Sequence, residues 1–235
     1  MTIMTIASGS SGNAYTVTDG ETTLLLEAGL PAHKLCVATD LSAIDGCLIS
    51  HEHMDHSKGA AELTSRYGVP LIASRKTLAA LRLENSFLAE PVEDREEIRC
   101  KSMIIKAFSV PHDAADPMGF LVKSEHGGKL MFITDAFYIP IQPPIGLTHL
   151  MVECNHSVEL LDETIMLGDT PHEQRERIRR SHMSLETLID WLDRNAGRLD
   201  ALQEIHLIHI SNRNGDPQMF KEKIQEATGK LVHIC

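Results

Sequence analysis

No stretch of this chain is apolar for long enough to cross a bilayer, so the sequence offers no helical membrane anchor. No low-complexity tract or clear internal repeat breaks it up, which sets aside the disordered and repeat classes. A disulfide framework is lacking as well. The five cysteines, Cys36, Cys47, Cys100, Cys154 and Cys235, are odd in number, scattered, and never spaced C-x-x-C. That usage fits a reducing compartment. The opening "MTIMTIASGSSGN" has no basic start, apolar core and small-residue cleavage site, so no export signal is read and a cytoplasmic location is expected. Basic charge is also in short supply, with 22 Lys and Arg against 33 Asp and Glu and a formal net charge of −11. This argues against a protein that coats nucleic acid non-specifically. It does not exclude a nuclease, because two bound divalent ions would add four positive charges to one cleft, which a residue count omits.

What is present is the composition of an ordinary globular protein, 43% hydrophobic and 23% charged over 235 residues. The first half reads as short strands joined by turns: "TIMTIAS", "AYTVT", "TTLLLEAG", "DGCLISH", "VPLIAS", "SMIIKAFSVPH", "MGFLVKS" and "KLMFITD", with Asp19-Gly20 as a hairpin turn. "SKGAAELTSRYG" and "RKTLAALRLEN" have helical spacing, the first stopping at Gly68. The second half alternates strand and helix. "THLMVECN" and "EIHLIHIS" are strands, and "EQRERIRR" and "SLETLIDWLDRNAG" are helices, the latter capped by Ser184. "DPQMFKEKIQEATG", opened by Asp216 and Pro217, is a further helix, and "KLVHIC" is a closing strand. Strands first, then alternation, predicts an α/β fold of two packed sheets with helices outside, and with no linker in view a single domain, 1–235.

The segment "SHEHMDH" places three histidines and an aspartate between His51 and His56, directly after the apolar run "GCLIS". Residues two apart in an extended segment point the same way, so His51 and His53 are able to grip one ion, while Asp55 and His56 lie further on and face a second. Imidazole and carboxylate suit Zn²⁺ and tolerate Mn²⁺ or Fe²⁺. Four residues cannot fill two metal spheres. The remaining candidates stand at other strand ends: His112 after "IIKAFSVP", Asp135 after "KLMFIT", and His209 near the end of "EIHLIHI".

Together "GSSGN", "SHEHMDHSKG", "VPHDAADPMGF", "ITD", "ECNH", "SHMS" and "IHISNRNGDP" resemble the metallo-β-lactamase-fold hydrolases, and among them the YycJ/WalJ-type, DNA exonuclease-like branch, from Ser8 to Pro217. The resemblance implies a four-layer αββα sandwich with two divalent metal ions, Zn or Mn, at one sheet edge. It implies His51, His53 and His112 on the first ion, Asp55, His56 and His209 on the second, and Asp135 bridging them. One residue departs from the pattern: where the family usually has aspartate in "LLxDAG", this chain has Glu27, one methylene longer and expected to orient the metal loop.

Two ions about 3.5–4 Å apart would activate a bridging hydroxide for attack on phosphorus. The expected function is therefore a two-metal phosphodiesterase acting on nucleic acid, a DNA exonuclease of 5′→3′ type by resemblance. Asp55 is then both ligand and orienter of the hydroxide. His182 in "RSHMS" is the candidate general acid, against the reading that it caps the next helix. Glu153 either supports His182 or is a plain strand-end carboxylate. Asn13, His156, Ser211 and Asn214 are candidate substrate contacts that equally suit turns, and Arg179 and Arg180 are candidate phosphate contacts or part of a solvated helix. Two other readings stand beside this one: a small-molecule metallo-hydrolase, such as a cyclic-nucleotide phosphodiesterase or thioesterase, and a non-catalytic nucleic-acid-binding relative. The sequence is silent on oligomeric state.

Overall fold

The computed structural model describes residues 1–235, which divide into two compact units: Met1–Ser109 with Ala114–Gly128, and Val110–Asp113 with Lys129–Cys235. No helix is long and apolar enough to cross a membrane.

The first unit holds β1 (Thr2–Ala7), β2 (Ala14–Thr18), β3 (Thr23–Leu26), α1 (Ala32–Ala38), β4 (Gly46–Leu48), α2 (Met54–Ser57), α3 (Ala60–Tyr67), β5 (Leu71–Ser74), α4 (Arg75–Ala80), β6 (Ala89–Val92), β7 (Glu97–Cys100), β8 (Met103–Ser109) and β9 (Met118–Ser124). Strands β1 to β6 form a sheet in chain order, antiparallel from β1 to β3 and parallel from β3 to β6. Leu25, Cys47, Leu71 and Ala73 from its parallel strands and Ile49 just past β4 meet Leu35 of α1 and Leu63 of α3 in one buried cluster. This is the burial expected where helices cover a parallel sheet. Strands β7, β8 and β9 form an antiparallel meander.

The β2–β3 turn is anchored to that meander by one carboxylate. Asp19 accepts from the hydroxyls of Ser102 (2.8 Å) and Ser124 (2.6 Å) and from the backbone N–H groups of Glu21 (3.1 Å) and Thr22 (2.8 Å). Burial works to raise the Asp19 pKa, but the bonds from Ser124, Thr22, Ser102 and Glu21 outweigh it and hold the carboxyl well below its usual range.

The second unit holds β10 (Lys129–Ile133), β11 (His149–Glu153), α5 (Val158–Met166), α6 (Gln174–Ser181), α7 (Leu185–Arg194), β12 (Glu204–Ile208), α8 (Pro217–Thr228) and β13 (Leu231–Ile234). Its four strands are all parallel, in the order β10-β11-β12-β13. Every residue of β11 is buried, as an interior parallel strand requires. Helix α7 buries Leu185, Leu188, Trp191 and Leu192 on one face, and Ser184 caps it by accepting from the Thr187 N–H. Asp216 caps α8 in the same way, with Pro217 in its first turn and Gly229 in the left-handed conformation beyond its end.

Two helices read from the sequence are shorter in the structure. "SKGAAELTSRYG" breaks at Lys58-Gly59 into α2 and α3, because the Gly59 N–H bonds the Ala28 carbonyl (2.8 Å) and a Cβ there would lie 2.4 Å from the Leu30 carbonyl oxygen. "RKTLAALRLEN" ends early, since Arg82 turns left-handed at φ 58°.

Replacing Asp19 with Asn should lower stability at pH 7 by on the order of 2 kcal/mol, the scale of hydrogen bonds to a charged group. A carboxyl depressed in the folded state contributes stability above the unfolded-state value of roughly 4 and loses it as pH falls toward the folded value. Denaturant unfolding of both chains should therefore show a gap that narrows below about pH 4. A gap independent of pH would contradict this account.

Candidate metal centre and active site

In the first unit the histidine loop is held against the exit of β3. The N–H groups of Asn13 and Ala28 bond the carbonyls of Asp55 and His56 (2.7 Å each), and the Gly29 N–H bonds the Asn13 carbonyl (2.8 Å). A Cβ on Gly29 would lie 1.8 Å from the Asp55 carbonyl oxygen, so only glycine allows this approach. The Asn13 amide nitrogen contacts the Asp55 carbonyl (3.2 Å) and lies 3.3 Å from His56 Nε2, while its Oδ1 accepts from the Gly9 N–H (2.8 Å). Asn13 is fully buried and its polar atoms face the loop that carries the histidines.

The loop gathers three rings. His51 lies 4.6 Å from His53 and 4.3 Å from His56, centroid to centroid. His51 Nδ1 meets the Ser50 hydroxyl at 2.8 Å. His56 Nδ1 lies 3.6 Å from Glu27, and its Nε2 lies 3.4 Å from Asp55. Glu27 is fully buried, accepts from the Ser50 N–H (3.2 Å), and sits at φ 63°. Burial pushes its carboxyl above the usual range, opposed by His56 and Ser50. The longer side chain thus reaches the loop by way of a left-handed backbone.

In the second unit Asp135 stands two residues past the end of β10 at φ 46°, and His209 follows β12 at φ 52°. Two imidazoles approach the Asp135 carboxylate by Nε2, His112 at 3.6 Å and His209 at 3.7 Å. In both rings Nδ1 has another partner: the Ser181 carbonyl (3.1 Å) for His112, and Glu153 (3.3 Å) for His209. A ring held at Nδ1 by an acceptor and turned by Nε2 toward a carboxylate is oriented as a metal-ligating histidine is. The donor set therefore fits divalent cations.

Glu153, at the end of β11 and fully buried, gathers groups from several segments of the second unit. One oxygen accepts from the N–H groups of Ala136 and Met183 (3.1 Å each), and the other meets His182 Nδ1 at 2.6 Å as well as His209. Burial alone would lower the His182 pKa, but the Glu153 charge and hydrogen bond overcome it and raise the value, biasing the ring to imidazolium. His182 stacks on His209 at 5.4 Å and leaves the capping of α7 to Ser184.

The remaining candidates separate. His156 is buried, its pKa pushed down to about 4 by burial, and it lines a cavity of about 260 Å³ with His182, Arg179 and Phe137. Arg180 is exposed and lies 3.5 Å from Glu176, the i,i−4 residue of its own helix. Asn214 turns inward, accepting from the hydroxyls of Thr164 (2.7 Å) and Thr170 (3.0 Å). The Ser211 hydroxyl accepts from the N–H groups of Arg213 (3.3 Å) and Asn214 (3.2 Å), shaping its turn. Phe137, overlooked in the sequence, is 37% exposed and packs edge-on against the exposed Tyr138 at 4.8 Å. The available signal was an aromatic pair two and three residues after Asp135.

Residues 17–210 match the family model described as the Beta-lactamase superfamily domain. The chain is 30% identical over 231 residues to exodeoxyribonuclease WalJ of Streptococcus pneumoniae, covering 89% of this chain and 81% of that protein. It is 32% identical over 170 residues to exodeoxyribonuclease YycJ of Bacillus anthracis, covering 66% of this chain and 63% of the relative, less than two thirds of its length. Among solved structures, the metallo-β-lactamase fold protein YhfI of Bacillus subtilis superposes with a TM-score of 0.76 at 14% identity, over 99% of this chain and 95% of the other. At that identity the likeness shows the fold and nothing further.

Changing Glu27 to Gln keeps the shape but removes the charge facing His56. Metal affinity, read as metal content at buffered free Zn²⁺, should fall about 10- to 100-fold, with the circular dichroism spectrum unchanged. Undiminished affinity would show that Glu27 does not orient the loop.

Proposed function

Because the chain belongs to the β-lactamase superfamily, in its YycJ/WalJ-type branch, and is a metal-dependent hydrolase of α/β fold, we propose that it hydrolyses nucleic-acid phosphodiesters as a single metallo-hydrolase domain, acting as a 5′→3′ DNA exonuclease with two divalent ions, Zn²⁺ or Mn²⁺. The proposed ligands are His51, His53, Asp55, His56, His112, Asp135 and His209. Both relatives carry exodeoxyribonuclease names, which supports the choice of DNA.

The observation that carries the reading is the His182–Glu153 pair, 2.6 Å apart, with His182 Nδ1 4.0 Å from Asp135 and its ring lining a cavity that also holds Arg179 and the exposed Phe137. When bound, the divalent ions lower the pKa of a water and offset the charge of the phosphate. The rest is the work of side chains. Glu153 fixes His182 by Nδ1 and favours its charged form, so the opposite nitrogen carries a proton for the departing oxygen. Asp55 orients the attacking water. Arg179 offers a cation to a neighbouring phosphate, and Phe137 offers a face on which a base stacks.

A panel of end-labelled single- and double-stranded DNA, RNA and cyclic nucleotides in Mn²⁺ or Zn²⁺ tests the substrate. Mononucleotides released from one DNA end are expected, and turnover confined to cyclic nucleotides would overturn the proposal. His182→Ala should keep its metal and lose roughly 10²- to 10⁴-fold in turnover; full activity in that variant would remove His182 from the chemistry. Phe137→Ala should raise KM for DNA roughly 5- to 100-fold, the scale of one base–aromatic stack, and leave hydrolysis of a small aryl phosphodiester unchanged. Equal losses on both substrates would rule out stacking.

A further inference from the structure

A second group of ligand-type side chains lies at the other end of β12. In-register parallel pairing sets His206 of β12 opposite His233 of β13, and Glu204, two residues before His206, points to the same face. His206 Nε2 lies 3.1 Å from Glu204 Oε2, and His233 Nε2 lies 3.6 Å from that same oxygen. The three ligand atoms all fall within 4.8 Å of one another. Five residues of strand separate Glu204 from His209, roughly 16 Å of chain, so this group stands apart from the Asp135 set.

We propose that Glu204, His206 and His233 form a two-histidine, one-carboxylate site for Zn²⁺ or a similar transition-metal dication, clamping β13 to β12. Donors about 2.1 Å from a tetrahedral Zn²⁺ sit about 3.4 Å from each other, a spacing that the 3.1 and 3.6 Å separations already bracket. His233 Nε2 is shielded from solvent and makes no hydrogen bond, so a polar atom aimed at the carboxylate lacks the partner that a cation would supply. The other imidazole, His206, is buried beside it. Its Nδ1 lies 3.9 Å from Cys235 Sγ, a contact on the far side of the ring from the carboxylate. The His206 and His233 rings stack at 4.6 Å with planes 22° apart, so loading requires one ring to turn until its lone pair meets the ion. His233 has that freedom, with its side chain 41% exposed. A fourth position is left for water, and β13 gains a cross-link to its neighbour independent of backbone pairing.

The test uses the full chain, stripped of metal and equilibrated with buffered free Zn²⁺, with zinc per chain measured by mass spectrometry. The wild type should hold one equivalent more than His233→Ala or Glu204→Gln, and both variants should keep the wild-type hydrolytic rate. Asp135→Asn, altered in the other set, should retain the extra equivalent. Zinc contents equal in the wild type and both variants would overturn the proposal, and so would loss of the extra equivalent only on changing Asp135.

Discussion

In the second unit, the orientation of His182 and His209 depends on one buried carboxylate. Glu153 comes at the end of an interior strand with no access to water, a position that costs several kcal/mol for an ionised group unless every lone pair is engaged. Four donors engage it: the backbone of Ala136 next to Asp135, the backbone of Met183, and the Nδ1 atoms of His182 and His209. Those donors come from the loops after β10 and β12 and from the segment entering α7. Satisfying one charge therefore brings three chain segments together, and it gives His209 and His182 their orientation. The same bond that positions His182 also raises its pKa, so placement and protonation have one cause.

The first unit solves a similar problem with backbone. Its histidine loop is kept in place by main-chain bonds from Asn13 and Ala28 and by the inward carboxylate of Glu27. The approach at Gly29 leaves no room for a side chain. Glu27, Asp135 and His209 all adopt left-handed backbone, which costs roughly 1 kcal/mol or more for a residue with a Cβ. All three stand where the chain leaves a strand.

A net charge of −11 and a nucleic-acid substrate are compatible on this view. The positive field need only be local. Under the proposed function, bound divalent ions, His182 and Arg179 would provide it close to the scissile bond, while the acidic remainder of the surface would oppose non-specific coating of DNA.

Much of the molecule was legible in the residues alone. The caps at Ser184 and Asp216, the stop at Gly68, and most strands follow from short-range patterns, because a cap or a turn is decided by its own few residues. The H-x-H-x-D-H cluster was equally plain, since its donors are adjacent in the chain. Strands β6 and β7 and helices α1 and α5 were not read: β6 carries Pro91, β7 is a short segment with no buried residue, α1 has no side-chain cap, and the Ser157 cap of α5 was overlooked. Nor could the residues alone show that Glu153 joins four donors, that Glu27 turns left-handed to reach Ser50, or that His233 meets His206 across two strands. The sequence by itself determined which side chains have metal-binding and acid–base chemistry. Only the tertiary structure decided which of them share a carboxylate, because strand register and backbone handedness arise from packing between segments far apart in the chain.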